Sequence, residues 1–197
     1  SMFNEMRISL SLDGSYVICV LKIDNYKEFQ QSFQAKDKDT IRFAVINIAS
    51  EIMARKYPTE GLDMKDDHVV LIVSVPEDDD QFPLQIVPLL KEAQENVSRY
   101  FKVSFTASIS DKTNELKGLR SLYDKALDQA MYRLLLGHSS VITYETIKKN
   151  VESKKSGYSK TQEEGFLEAM KSSNITAMEE VLATIFEEVS TLNYHNA

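Results

Sequence analysis

The chain has 197 residues, 43% of them hydrophobic, and a formal charge of −7, so it has the material for one sizeable core. The negative balance argues against any grip on a nucleic-acid backbone, an affinity that rests on Lys and Arg displacing counterions. No apolar run approaches bilayer length, the N-terminus lacks the basic-then-apolar layout of a signal peptide, and the single cysteine, Cys19, excludes an internal disulfide. A soluble chain of the reducing cytoplasm is expected, with no membrane contact and no direct nucleic-acid contact. Ser1-Met2 reads as a remnant of expression ahead of an internal fragment, with 1–14 as a lead-in.

Ser15 to Ile23 is rich in Val, Ile and Leu with one charge near its end, the pattern of a strand covered on both faces. A helix is expected from Asn25, a residue suited to capping, with Tyr26, Phe29 and Phe33 at helical spacing. Polar Asp37 to Thr40 is expected to break it, with Asp39 capping a second helix over Thr40 to Lys56. There Ile41, Ala44, Val45, Ile48, Ile52 and Met53 form one stripe, ending before Tyr57-Pro58.

Leu62 to Val75 reads as a hairpin turning at Asp66-Asp67, with Val69 to Val75 as its buried strand. Glu77 to Asp80 is an anionic run at the start of a helix over Phe82 to Tyr100, where the local dipole favours it. As a calcium loop the run lacks the spaced oxygens, glycine turn and closing Glu.

Lys102 to Ser110 alternates as a third main strand with one wetter face. Leu116 to Leu136 follows as a helix stopped by Gly137, and Val141 to Tyr144 closes as a final strand. The order β-α-α-β-β-α-β-α-β predicts an α+β, ferredoxin-like mixed central sheet flanked by helices over 15–146. Lys-rich 147–160 reads as a linker. The segment 161–197 carries two amphipathic helices, Thr161 to Lys171 and Ile175 to Leu192, as a C-terminal hairpin capped between them by Asn174.

Within this order, Tyr16 to Phe29, Met64 to Ile72 and Ala126 to Val141 carry a likeness to eroded signatures of one family. The stretch Val17 to Tyr144 resembles the GGDEF (diguanylate cyclase) fold, and more closely the degenerate GGDEF-like domain of AraC-family regulators. The pieces Arg42 to Ile52 and Glu164 to Met170 look like that AraC-linked subgroup. The resemblance implies a bacterial parent protein with a helix-turn-helix DNA-binding domain downstream of this chain.

Carried over residue by residue, the opening motif Asp-x-Asp-x-Phe-Lys-x-x-Asn-Asp puts Lys22 at the first Asp, the holder of the catalytic metal. An ammonium does not coordinate a divalent cation and repels it. Asp24 keeps the second Asp, Gln30 takes the place of the guanine-reading Asn, and Asp39 that of its partner Asp. The namesake loop aligns with Lys65-Asp66-Asp67-His68-Val69. Its two glycines, which let bare backbone approach phosphates, become Lys65 and Asp66, while Asp67 keeps the metal-binding third position. The product-inhibition motif Arg-x-x-Asp is replaced by Thr59-Glu60-Gly61-Leu62. In the closing signature Ala126, Gly137 and Val141 match, the phosphate-reaching Lys becomes Leu134, and Arg-Asn becomes His138-Ser139.

Asp24 and Asp67, beside Asp66 and His68, are the candidate metal residues; the competing reading of the cluster is a polar hairpin turn. Lys22, Gln30 and Asp39 are the candidate vestigial nucleotide pocket, with a leftover polar rim as the alternative. His138 reads as a surface contact after a helix stop, His195 as a tail residue, and no nucleophile-base pair stands out. No cofactor and no catalytic residue are expected. The expected function is a non-catalytic regulatory, signal-relay domain of an AraC-type transcriptional regulator, acting by packing and as a homodimer. Its alternatives are a guanine-nucleotide sensor without turnover and, less favoured, an active cyclase.

Overall fold

The structure is a computed structural model describing Leu10 and residues 14–157. The expected hairpin of 161–197, the cap Asn174 and His195 lie outside the described residues. The chain divides into two units, 1–144 and 145–197.

Five strands form the sheet of the first unit: β1 (Ser15–Ile23), β2 (Thr59–Asp63), β3 (His68–Val75), β4 (Phe105–Thr113) and β5 (Val141–Ile142), in the order β2-β3-β1-β4-β5. β1 runs antiparallel to both β3 and β4, β2 antiparallel to β3, and β5 parallel to β4. This is the mixed sheet expected from the sequence. β1 is central because its apolar run, SYVICVLKI, tolerates cover on both faces and pairing on both edges. Where it meets β4 the register slips between Val17 and Cys19, and the Ile18 N–H left over by this bulge donates to Ser110 Oγ (2.9 Å).

The alternation of side chains along the strands separates two cores. Odd-numbered residues of β1, β3 and β4, such as Leu21, Leu71 and Phe105, face α1 (Tyr26–Ser32), α2 (Ala35–Ala54) and α3 (Phe82–Phe101). Even-numbered Ile18, Val20 and Val70 face α4 (Leu119–Gln129), whose Leu122 and Ala126 cover them. Ser74 of β3 and Thr106, Ser108 and Ser110 of β4, on this second face, are polar yet buried. Thr106 and Ser108, expected on a wetter side of β4, have no exposure, because the Ser108 hydroxyl donates to the Ala126 carbonyl of α4 (2.6 Å) and Thr106 is engaged by Asp24.

Several boundaries differ from expectation for local reasons. The break between α1 and α2 is confined to extended Phe33 and Gln34. Ala35, Lys36 and Lys38 are good helix formers, and Asp37 suits a first turn, so α2 begins five residues early. Asp39 is therefore no cap but a residue inside the helix, turned toward Arg42. Asn25 makes no side-chain cap either; it is left-handed (φ 48°, ψ 42°), a conformation Asn tolerates. The strand expected from Lys102 starts at Phe105, since Lys102 is the left-handed C-cap of α3. The helix over Leu116 to Leu136 is broken: a 3-10 turn at Leu116–Gly118, α4, a second 3-10 turn at Ala130–Tyr132, and the short α5 (Arg133–Leu136). The second tightening comes where Ala130 is fully buried.

The last strand is only two residues long, because α6 (Tyr144–Gly157) starts at once. Residues 147–157 of the expected linker are thus helical; their Lys and Glu content with no proline favours a helix. Among the described residues no helix is long and apolar enough to cross a membrane.

Gly61 is where edge strand β2 meets α2. A Cβ there would lie 2.3 Å from Ile46 Cγ2 and 3.0 Å from Ser50 Oγ. Gly61→Ala is therefore expected to lower stability by about 1–3 kcal/mol through overpacking, read as a drop in the urea midpoint at constant slope. An unchanged midpoint would mean that β2 does not approach α2 this closely.

Candidate functional site

The candidate residues meet at the carboxyl end of β1, where the strand leaves the sheet beside the β2–β3 hairpin. Lys22 points to the α4 face, opposite His68 on β3 and Thr106 on β4. Its ammonium forms an ion pair with Asp67 Oδ2, the two side chains being 11% and 20% exposed. The other carboxylate oxygen accepts from His68 Nδ1 (2.9 Å), and buried His68 Nε2 meets the Tyr123 hydroxyl of α4 (2.9 Å). A carboxylate only accepts, so Nδ1 carries the proton, and in the neutral ring Nε2 accepts from Tyr123. The two rings stack with centroids 5.9 Å apart. One chain of contacts, Lys22–Asp67–His68–Tyr123, thus ties the central strand to the hairpin and the hairpin to α4.

Burial alone would raise the Asp67 carboxyl, but hydrogen bonds from Lys22 and His68, with the charge of the Lys22 ammonium, outweigh it and hold the group below the ordinary value of 3.8. Burial, reinforced by Asp124, pushes the Tyr123 hydroxyl up. The backbone is fixed as well, since the Ile23 N–H donates to the Asp67 carbonyl (2.8 Å).

Asp24 is engaged elsewhere. Its side chain has no exposure, Oδ1 accepts from the Thr106 hydroxyl (2.8 Å), and Oδ2 accepts from the Ser139 N–H (3.0 Å). The Arg133 guanidinium lies 4.0 Å from Oδ1 and donates to the Ile23 carbonyl (3.2 Å). Asp24 therefore fastens the α5–β5 turn to the end of β1. The two candidate metal carboxylates are both taken up by donors of the chain, and among the described residues no three His, Cys, Asp or Glu side chains cluster as metal ligands. With an ammonium on one of them, the residues present do not fit a divalent ion.

The three residues of the candidate nucleotide pocket are not brought together. Lys22 pairs with Asp67; exposed Gln30 accepts from Lys38 Nζ (2.7 Å) and contacts Tyr26; Asp39 pairs with buried Arg42, which also reaches Asp63 (3.2 Å). Arg42 is thereby a structural bridge from α2 to β2.

Two clefts flank the turn at Asn25, and neither is lined by Lys22, Gln30 or Asp39. One, of about 360 Å³, lies between α1 and the α3–β4 connection, with Glu28, Phe33 and Lys102 on its walls. The other, of about 530 Å³, lies between the start of α1 and the α5–β5 turn, lined by Lys27, Arg133 and His138. Sequence reasoning missed Lys27 and Arg133 as cleft residues. The signal for Arg133 lies one place before Leu134, the position that motif alignment gives to a phosphate-reaching Lys. Gly137, on the rim, has φ 85°, which a side chain strains, so the glycine of the closing signature is kept for its backbone.

The hairpin turn holds a residue other than glycine in the left-handed region: Lys65 lies at φ 62°, and its N–H donates to Asp63 Oδ1 (2.8 Å). Burial would raise the Asp63 carboxyl, but the Lys65 amide and ammonium and the Arg42 guanidinium hold it below the ordinary range.

A family model described as a GGDEF-like domain matches residues 5–130, well over half of the chain. The chain belongs to this family. Its fold is similar to that of the active GGEEF domain of a diguanylate cyclase from Vibrio cholerae (TM-score 0.50, 9% identity, 73% of this chain and 87% of that one covered). An EAL/GGDEF domain protein from M. capsulatus is comparable (TM-score 0.50, 12% identity, 73% and 93% covered). Among curated proteins none matches the sequence. The GGDEF-like domain thus has the sheet and helices of those structures, with the ion pair Lys22–Asp67 at the end of β1.

Because Asp67 and Asp63 titrate lower in the folded chain than in the unfolded one, the stability they contribute is complete above the ordinary carboxylate value of 3.8 and is lost as pH falls through their depressed values. Denaturation midpoints measured as the pH is lowered from about 5 to about 2 are expected to fall, and Asp67→Asn is expected to flatten part of that slope. An unaltered slope in the variant would remove Asp67 from the acid response.

Proposed function

We propose that this GGDEF-like domain is a non-catalytic regulatory module that relays a signal through packing, as part of an AraC-type transcriptional regulator whose DNA-binding domain lies downstream. The ion pair between Lys22 and Asp67 is the observation that supports this reading. Motif alignment puts two metal-holding carboxylates at these positions; here one is an ammonium and neutralises the other. A second support is the hairpin turn, where the Lys65 N–H, which an open glycine loop would offer to phosphate, donates to Asp63 instead. The pieces Arg42 to Ile52 and Glu164 to Met170 support the AraC-type parent, and self-association as a homodimer is part of the same proposal.

The cleft lined by Lys27, Arg133 and His138 favours a second reading, a guanine-nucleotide sensor without turnover. Cationic walls beside the end of β1 attract phosphate without a metal.

Calorimetric titration with GTP, with and without magnesium, separates the readings, with product analysis alongside. No heat and no cyclic dinucleotide are the expected results for the relay module. Heat that needs no magnesium and disappears in Lys27→Gln would replace it with the sensor. Accumulation of cyclic dinucleotide would overturn both.

A further inference from the structure

Asp67 is pinned beside β1 whatever its side chain does, because its carbonyl accepts the Ile23 N–H (2.8 Å) and the next residue, His68, pairs with Lys22 across the strands. Its carboxylate is four-fifths buried and, with His68 on one oxygen, faces a single positive charge on the other. A carboxylate so placed requires a counter-charge within contact distance, since water reaches little of it. Asp24, the next acid along, is fully occupied by Thr106 and Ser139 and offers no competing oxygen.

We propose that the Lys22 ammonium is a tethered replacement for a divalent cation: it supplies from within the chain the charge that holds the hairpin to β1, and it closes this site to free metal. The proposal rests on the reading of Lys22 given above and extends it from an absence of chemistry to a role. The chain carries its own cation, always present and independent of metal concentration. Replacing that cation with a carboxylate sets two anions against each other on neighbouring strands, an arrangement that hard divalent ions favour through oxygen ligands. Lys22→Asp is therefore expected to convert a metal-indifferent fold into a metal-dependent one.

The test is thermal unfolding of the full chain, followed by circular dichroism without nucleotide, in EDTA and in millimolar Mn²⁺. The wild-type midpoint is expected to be the same in both. Lys22→Asp is expected to melt lower in EDTA and to recover by about 4 °C or more when Mn²⁺ saturates a single site; adding Asp67→Asn is expected to abolish the recovery. Should Lys22→Asp fail to fold in EDTA, Lys22→Asn serves in its place, with a smaller Mn²⁺-dependent rise expected. A wild-type midpoint that climbs with Mn²⁺ and loses that response in Asp67→Asn would overturn the proposal. So would a folded Lys22 variant indifferent to Mn²⁺. The latter result leaves the non-catalytic reading in place, because that reading is decided by the GTP titration alone.

Discussion

A strand paired on both edges and covered on both faces has no access to water, so every polar group on it must be answered by the protein. β1 is that strand, and its end at Lys22, with Asp24 just beyond it, is where the requirement is felt. Lys22 is answered by Asp67 and Asp24 by Thr106 and Ser139. Breaking a buried pair by removing one partner typically costs about 3–5 kcal/mol, less where a partner keeps some exposure, as Asp67 does. The hairpin, α4 and the α5–β5 turn are all positioned by these few contacts. The geometry of the end of the sheet is set by charge balance as well as by apolar packing.

The two acids of this region show how one side chain type serves opposite ends. An acid that is to hold a metal needs free lone pairs directed into open space. Asp24 has a donor on each oxygen and no exposure, the arrangement of a structural clasp. Asp67 keeps partial exposure, but one oxygen is held by an ammonium and the other by an imidazole. The ring then passes the constraint to Tyr123, so α4, which covers the smaller core with Leu122 and Ala126, is also tethered through a polar contact at its edge.

Most of the sheet was legible because strands buried on both faces, such as β1 and β3, are continuous apolar runs, and α2 and α3 carry clear helical stripes. The misplaced boundaries lie where short-range propensity is balanced. Asp37 to Thr40 is polar enough for a loop, yet its neighbours are good helix formers and helix wins. The polar residues of β4 read as a wet face because a sequence does not show that α4 supplies a carbonyl to Ser108, or that Asp24 supplies an oxygen to Thr106. For the site, the alignment of motifs identified Lys22 and Asp67 separately; that they neutralise each other depends on the strand register, which only the pairing of Lys22 with His68 reveals. The dispersal of Gln30 and Asp39 was hidden for a related reason: each has another partner, Gln30 the Lys38 of the next helix and Asp39 the Arg42 one turn on.

The hairpin turn shows how a side-chain clasp supports a backbone conformation that favours glycine. A left-handed residue at Lys65 is a strained choice where glycine is free, about 1–2 kcal/mol less favourable for an ordinary side chain. The Asp63 carboxylate offsets that strain by accepting the Lys65 N–H and pairing with its ammonium (3.2 Å), and Arg42 in turn holds Asp63 from α2. The same hydrogen bond that permits a lysine there removes the backbone donor from the loop's outer surface. The Asp63–Lys65 clasp therefore does two things at once: it holds a lysine in a left-handed conformation, and it engages the Lys65 N–H within the turn. With Lys22 on the strand beside it, the turn so held presents Asp67 to the central strand.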